Sequence, residues 1–221
     1  INGAAQSFFN LRIPGLAMTV IAADGQNVKP VEVDELQIGT AEIYDVIVTP
    51  REAEAYTIIA ESMDRSGMAL ATLASRPNAR AAIPPPRKPP LLDMGDMGMN
   101  HGDGGHGGGG HSMNVMKMRD TLLLPPDVKV GPGIDMVSMA PVDKMGDPGL
   151  GLRDVDHRVL NYRMLSALEP NADTREPSRL LELHLTGNME RYMWSFDGRM
   201  YSAVSDKPIR FAWNERVRVK L

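Results

Sequence analysis

The side chains best suited to chemistry are concentrated in one segment, residues 93–118, which reads DMGDMGMNHGDGGHGGGGHSMNVMKM. It holds six methionines and three histidines, and the chain has no cysteine. Thioether sulfur is a soft donor that suits Cu(I), whereas imidazole suits Cu(II), zinc and nickel. Copper is therefore the first metal to consider. The predicted ligands are Met94, Met97, Met99, His101, His106, His111, Met113, Met116 and Met118.

The spacing of these donors predicts an adaptable site. The three histidines are five residues apart with glycines between them, so a flexible backbone can bring three imidazoles onto one ion at modest entropic cost. The methionines flank them at spacings of two or three, which lets two or three thioethers meet around one Cu(I) or Ag(I). The nine glycines between Gly95 and Gly110 exclude a core helix, which needs apolar periodicity.

Other residues of this region are secondary candidates. Asp93, Asp96 and Asp103 could add oxygen ligands, and solubilising charge in a linker explains them equally well. Met136, Met139 and Met145 extend the methionine bias. The competing interpretation is a low-complexity linker whose Met and His content has no role. We favour metal handling, because flexibility alone requires no more than Gly and Ser.

The remaining histidines and the local motifs point to no other chemistry. His157 lies in the charged sequence RDVDHR, and His184 falls on the polar side of a predicted strand. We interpret both as surface or hydrogen-bonded histidines. The sequence contains no G-x-S-x-G, P-loop or H-E-x-x-H motif, and the lack of cysteine excludes a thiol nucleophile.

Bulk composition limits the class of protein. A chain of 221 residues with 43% apolar residues can bury a core in one or two domains. The formal net charge is −4 without a block of like charges, so nucleic-acid binding is not indicated. No apolar run approaches the ~18 residues of a membrane span. Because the chain opens on Ile1 and a strand pattern continues to Leu221, we expect a piece of a longer protein.

The elements around the donor segment are predicted to be strands. Residues 1–75 alternate apolar and polar side chains in short runs separated by turn signals such as Pro14-Gly15 and Asp24-Gly25, which is typical of an all-β sandwich or barrel. The predicted strands are Phe9 to Ile13, Met18 to Ala23, Val31 to Ile38, Ile43 to Val48 and Tyr56 to Glu61.

Two further parts follow this β region. Residues 76–178 form a predicted interdomain linker, which is stiffened by prolines at 84–86 and 89–90 and contains the Met/His/Gly segment 93–118. Within it, residues 159–168 offer a weak element with one or two helical turns. Residues 179–221 are strand-like again, with alternating patterns at 181–185 and 216–221 and a strand at 193–196. We expect these to be the first strands of a second β domain.

A resemblance makes this organisation more specific. The opening of the chain, with Ile1-Asn2, TVIAADG at 19–25, VKPVEVD at 28–34 and YDVIV at 44–48, resembles the middle cupredoxin domain of a multicopper oxidase. AESMDRSG at 60–67, the Met/His/Gly segment and MWSFDG at 193–198 are similar to the copper-resistance oxidases of the bacterial periplasm. The resemblance covers nearly the whole chain and implies a cupredoxin-like Greek-key β-sandwich, incomplete at both ends.

The resemblance also implies where the catalytic metal lies. In this family, type 1 and trinuclear copper are held by H-x-H pairs, H-P-x-H-L-H-G and H-C-H motifs, and none of these occurs here. The chain is therefore expected to be inactive as an oxidase, with no catalytic and no cofactor-binding residue of its own. The parent protein is expected to oxidise Cu(I) or phenolic compounds and to reduce O2 to water. Its expected partners are copper ions and its remaining cupredoxin domains.

Two alternatives stay open on the sequence. The chain could be a stand-alone periplasmic protein that binds copper or silver, or a passive structural module between domains. In the favoured interpretation, residues 94–118 form an accessory Cu(I)/Cu(II) site that captures periplasmic copper.

Overall fold

A computed structural model describes residues 1–92, 96, 124–126, 128, 131–134, 142–188, 190–200 and 208–221. The chain divides into two compact units. Unit 1 comprises Ile1–Leu92 and Asp143–Pro170, and unit 2 comprises Asp93–Val142 and Asn171–Leu221. The described residues contain no α-helix. The predicted all-β class is therefore confirmed.

Unit 1 is built from two antiparallel sheets. Its strands are β1 (Phe9–Arg12), β2 (Met18–Ala23), β3 (Gln26–Val33), β4 (Glu35–Ile38), β5 (Tyr44–Ile47), β6 (Ala55–Ser62) and β7 (Met68–Ala74). One sheet has the order β4-β1-β6-β7 and the other β3-β2-β5. Four of the six connections between successive strands pass from one sheet to the other, as in a Greek-key sandwich, and the other two form the hairpins β2-β3 and β6-β7.

The core of unit 1 lies between the apolar faces of these sheets. Met18, Val20 and Val33 contribute from one sheet, and Leu36 and Tyr56 contribute from the other. Asp24 and Gly25 join β2 to β3 with positive φ angles of 46° and 77°. A two-residue turn of this kind matches the twist of the strands that it connects, which explains the Asp-Gly signal in the sequence.

Residues 143–170 complete unit 1. The backbone N–H of Leu160 donates to the carbonyl of Glu35, and Val28 forms an isolated bridge with Ala167. Leu160 enters the apolar core, and Leu152 is fully buried nearby in sequence. Within this stretch, Tyr162–Met164 form a single 3-10 turn, the shorter form of the one or two helical turns expected at 162–168. The sequence pattern places residues 143–170 in the predicted interdomain linker. The division of the chain into three parts stays a prediction.

Unit 2 contains smaller sheets. Its strands are β8 (Arg179–Glu182), β9 (Leu185–Asn188), β10 (Met193–Phe196), β11 (Arg199–Met200) and β12 (Val217–Lys220). Three of them form an antiparallel sheet in the order β11-β10-β9, and β8 pairs in parallel with β12. None of the helices in the described part of the chain is long and apolar enough to cross a membrane.

The strand predictions agree with this structure except at two breaks, two omissions and the start of β3, whose residues 26–30 were not predicted as strand. The expected strand at 31–38 is divided at Asp34, because β3 ends at Val33 and β4 starts on the other sheet. The pattern at 181–185 is also divided, so His184 lies between β8 and β9 and not on a strand as predicted. The sequence analysis missed β7 and β11.

Candidate functional site

The nine predicted metal ligands all lie outside the described residues. The secondary candidates that also lie outside them are Asp93, Asp103, Met136 and Met139. Asp96 falls in a turn. Met145 also lies in a turn, where its N–H donates to the Asp143 carboxylate over 2.8 Å and its carbonyl accepts from the N–H of Arg163. The metal site in the segment 94–118 therefore stays a prediction.

The structure does describe the approach to that segment, residues 81–90, which read AAIPPPRKPP and are called the arm below. The arm belongs to unit 1 but has no helix or strand. Because proline fixes φ and lacks an N–H, such a sequence favours an extended polyproline II chain. At its start, the Thr57 hydroxyl donates to the carbonyl of Ala82 over 2.9 Å. The arm is thus attached to β6.

Arg87, in the middle of the arm, is bound by two buried carboxylates. Its terminal guanidinium nitrogens donate to the two Glu35 oxygens over 3.0 and 2.5 Å. Its Nε donates to Glu61 over 2.6 Å, and its backbone N–H donates to the same carboxylate over 3.1 Å. A guanidinium presents a planar set of N–H donors that matches the geometry of a carboxylate. The one cation of Arg87 therefore binds both carboxylates.

The strand register explains why the two carboxylates lie close together. Asn10 of β1 is the partner of Glu61 on β6, and Arg12 of β1 is the partner of Glu35 on β4. Side chains two residues apart on a strand share a face, so these four polar groups project from one face of the sheet. Leu36 and its neighbours project into the apolar core from the other face.

This polar face is buried although it points away from the core. Glu35 and Glu61 are 0% and 1% exposed. Two further groups reach them: Arg65 lies 3.3 Å from Glu61, and His157 Nε2 lies 2.7 Å from Glu35. Ionised carboxylates withdrawn from water require compensating charges and hydrogen bonds, and here the two arginines supply both. We call Glu35, Glu61, Arg65, Arg87 and His157 the ionic cluster.

The cluster changes the acidity of its members. Burial alone would raise the pKa of Glu61, but the hydrogen bonds and charge of Arg87 outweigh burial and lower that pKa. Burial alone would lower the pKa of Arg87, and its contacts with Glu35 and Glu61 raise that pKa instead. Glu61 and Arg87 therefore stabilise each other as an ion pair.

A second polar group in unit 1 contains two tyrosines. Tyr162 donates from its hydroxyl to the Glu42 carboxylate. Burial, with Glu42 and Asp24 nearby, raises the pKa of Tyr44 to about 12. Burial and the Glu42 hydrogen bond also raise the pKa of Tyr162. Both phenols stay protonated at neutral pH, so neither is an anionic ligand there, and Tyr162 serves as a hydrogen-bond donor.

His184, the histidine of unit 2 that the structure describes, is held by a carboxylate from the turn between β10 and β11. The ring Nδ1 and the backbone N–H of His184 both lie 2.9 Å from one oxygen of Asp197. Nε2 lies 3.4 Å from Glu182, which also pairs with Lys220. His184 and His157 are therefore both hydrogen-bonded to carboxylates, as the interpretation from sequence predicted.

In the part of the chain that the structure describes, no three or more His, Asp or Glu side chains are grouped so that they could hold a metal ion. The whole sequence has five histidines and no cysteine. The donors chemically suited to copper are the methionines and histidines of 94–118, which lie outside the described residues and whose thioethers and imidazoles fit Cu(I) and Cu(II) by type.

Comparison with known proteins defines the family. Residues 1–78 match the family model of the multicopper oxidases. All of the chain aligns, at 44% identity, with the copper resistance protein A homolog of Pseudomonas syringae pv. tomato (strain ATCC BAA-871 / DC3000). All of it also aligns, at 42% identity, with copper resistance protein A of Escherichia coli. The chain belongs to the multicopper oxidase family. Proteins of the multicopper oxidase family use copper as their cofactor.

The two relatives are longer than this member of the family. The chain spans 41% of the Pseudomonas protein and 42% of the Escherichia protein, less than half of each. A solved structure, that of Fet3p, a multicopper oxidase that functions in iron import, aligns with 90% of this chain and 28% of its own at a TM-score of 0.43 and 14% identity. A likeness of that size does not define a fold by itself.

Proposed function

We propose that this chain is part of a copper-resistance multicopper oxidase and that residues 94–118 capture copper for it. The observation that carries the proposal is identity of 42–44% over the whole chain to proteins named for copper resistance, together with a segment rich in soft donors. Membership of a copper-using family favours copper over zinc or nickel for a segment whose methionines suit Cu(I).

The proposed whole protein removes electrons from Cu(I) or a phenolic substrate at a blue copper and passes them to O2, which is reduced to water. This chain has no cysteine and no pair of histidines in an H-x-H arrangement, so it lacks the donors for those coppers. We infer that the 221 residues alone have no oxidase activity. Their contribution is to bind copper near the rest of the enzyme.

The proposed compartment is the periplasm, because copper-resistance oxidases of this kind act on copper outside the cytoplasm. Neutral thioethers bind metal without losing a proton, whereas imidazoles must be deprotonated. The methionines of 94–118 would therefore keep their affinity for Cu(I) as the pH falls, and the histidines would lose theirs. The proposed partners are copper ions and the other cupredoxin domains of the protein.

An anaerobic titration tests the copper-capture proposal. The 221-residue chain is titrated with Cu(I) against a competing chelator, in the wild-type form and with all six segment methionines changed to leucine. We expect the variant to bind Cu(I) at least about tenfold more weakly, a change of about 1.4 kcal/mol in binding free energy. Equal binding by the two proteins would refute Cu(I) capture by these thioethers.

Matched controls separate this effect from a general loss of methionine. Met63→Leu with Met68→Leu removes two thioethers from unit 1 and should leave Cu(I) affinity unchanged. His101→Ala with His106→Ala and His111→Ala should weaken Cu(II) binding more than Cu(I) binding. If no variant changes the affinity for either ion, the segment is a passive linker.

A further inference from the structure

The arm shows a burial pattern that repeats every third residue. Ala81, Pro84, Arg87 and Pro90 are half-buried, and each of the residues between them is exposed. A polyproline II helix has three residues per turn, so these four side chains form one face of such a helix. The pattern therefore describes an extended, proline-rich peptide that lies with one face against unit 1.

The surface under this face is the polar side of the β4-β1-β6-β7 sheet. Thr57 and Glu61 lie on that side of β6, four residues apart, and they contact Ala82 and Arg87 of the arm. The spacing of the two contacts follows the strand, so the arm is attached to β6 at two points along its length.

Gly151 provides a third contact, near the end of the arm. A Cβ atom placed on Gly151 would lie 2.9 Å from the Pro90 Cβ and 3.1 Å from an Arg65 guanidinium nitrogen. Real Cβ atoms essentially never approach another atom as closely as the 2.9 Å to Pro90, and Gly151 also has a φ of +72°. A side chain at position 151 would displace the proline, so the absence of one creates the space in which Pro90 lies.

We propose that the arm is a strap, a polyproline II peptide bound in cis to a site on unit 1, with Arg87 held between Glu35 and Glu61 as its anchor. A polyproline II helix has no internal hydrogen bonds, so its order depends on contacts such as these. Its stiffness lowers the entropy lost on binding, as for proline-rich ligands bound in trans.

The strap determines where the donor segment begins. Residues 93–118 follow the arm directly, so a bound arm fixes their starting point on unit 1 and a released arm does not. This part of the inference rests on the proposed copper capture. Binding of the arm itself does not depend on that proposal.

Limited proteolysis of the 221-residue chain without copper tests the strap. Trypsin cleaves after Arg87, whereas Pro89 protects the bond after Lys88. Glu61→Gln removes one carboxylate charge, and Arg87→Lys keeps the cleavage site and the charge but loses the planar set of donors. Since cleavage follows the population of the released form, we expect both variants to be cut at the 87–88 bond at least about tenfold faster than wild type.

Three controls make the result specific to the arm. Rates are normalised to those of the urea-denatured chain and compared with cleavage after Arg51, an exposed site in a turn. Glu32→Gln, an exposed carboxylate on β3, should behave as wild type. If the buried Glu61→Gln variant is cut faster at both sites, unit 1 has unfolded and Arg87→Lys alone decides. Wild-type cleavage of Arg87→Lys at the 87–88 bond would overturn the strap.

Copper binding distinguishes the two proposals. Because the predicted copper donors lie outside the arm, the Arg87→Lys variant should bind Cu(I) as tightly as wild type. Its arm should still be cut faster. Loss of Cu(I) binding only in the six-methionine variant supports capture. Fast cleavage in Arg87→Lys supports the strap whether or not the segment binds copper.

Discussion

The two units bury different kinds of side chain in their interiors. In unit 1, two sheets face each other across an apolar core, and the arm covers a polar outer face. In unit 2, the sheet β11-β10-β9 packs its polar face inward, because the Ser195 hydroxyl donates to the carbonyl of Gly133 and Asn188 donates to Pro132. Among the described residues of unit 2, Val128 and Ile134 are the buried apolar side chains.

The other face of that small sheet is aromatic and exposed. Trp194 is paired with Gly187, and Phe196 is paired with Leu185. Trp194, Phe196 and Leu185 all remain largely in contact with solvent. The described part of unit 1 is therefore stabilised mainly by buried apolar side chains. The described part of unit 2 depends more on hydrogen bonds, each of which contributes less to stability than a buried apolar side chain.

The largest expected effect comes from a substitution in the core of unit 1. Leu36→Ala removes a fully buried side chain and should cost about 3–4 kcal/mol, because the cavity can relax only partly. Native-state hydrogen exchange with peptide resolution should show lost protection in the β4-β1-β6 strands. Leu180→Ala, at an exposed position of β8, should stay within about 0.5 kcal/mol. Equal losses in the two units would contradict the comparison.

A smaller effect tests the polar face of unit 1. Glu61→Gln leaves Arg65 and Arg87 with one buried carboxylate and should cost about 3 kcal/mol at pH 7. The folded-state pKa of Glu61 lies below its ordinary value of 4.5, so its contribution to stability is present above that value and is lost as the pH falls through the lowered pKa.

The measurement is urea unfolding at several pH values between neutral and acid. The difference in free energy of unfolding between wild type and Glu61→Gln should be constant above about pH 5 and should shrink at lower pH. A difference that grows on acidification would show that Glu61 is not stabilised as an anion. Glu32→Gln is the exposed control.

The smallest predicted effect concerns unit 2. Ser195→Ala removes the hydroxyl that donates to Gly133 over 3.0 Å and lies 2.6 Å from the Thr186 hydroxyl, and it should cost about 1 kcal/mol. Exchange protection should fall in β9 and β10 and not in unit 1. Ser178→Ala, at an exposed position, should have less than about half that effect. If Ser195→Ala leaves the stability unchanged, the polar interior does not stabilise this sheet.

Local patterns predicted the strands well where alternation and turn chemistry agree. Met18–Ala23 and Met193–Phe196 were predicted with the bounds that the structure has. MALATLA at 68–74 lacks that alternation and is rich in helix-forming residues, so β7 could not be recognised locally. Pro30 is tolerated inside β3 because β3 is an edge strand, where the missing proline N–H does not interrupt the pairing of two neighbours.

The donor types of the candidate site could be read from composition, but the ionic cluster could not. Glu35, Glu61 and Arg87 are separated by 26 residues or more, and each alone has the appearance of a solvated charge. The signal available was a single arginine among five prolines of the arm. Its partners depend on the order β4-β1-β6, which local periodicity does not determine.

The division of the chain between the units has a consequence for anyone who wishes to separate them. The polypeptide passes from one unit to the other after Leu92, returns at Asp143 and leaves again after Pro170. A cut after Leu92 removes Leu160 from the core of unit 1, and a cut after Pro170 leaves residues 93–142 attached to unit 1. No single cut therefore yields two whole pieces, and excising residues 93–142 with a short replacement linker is the dissection that keeps unit 1 intact.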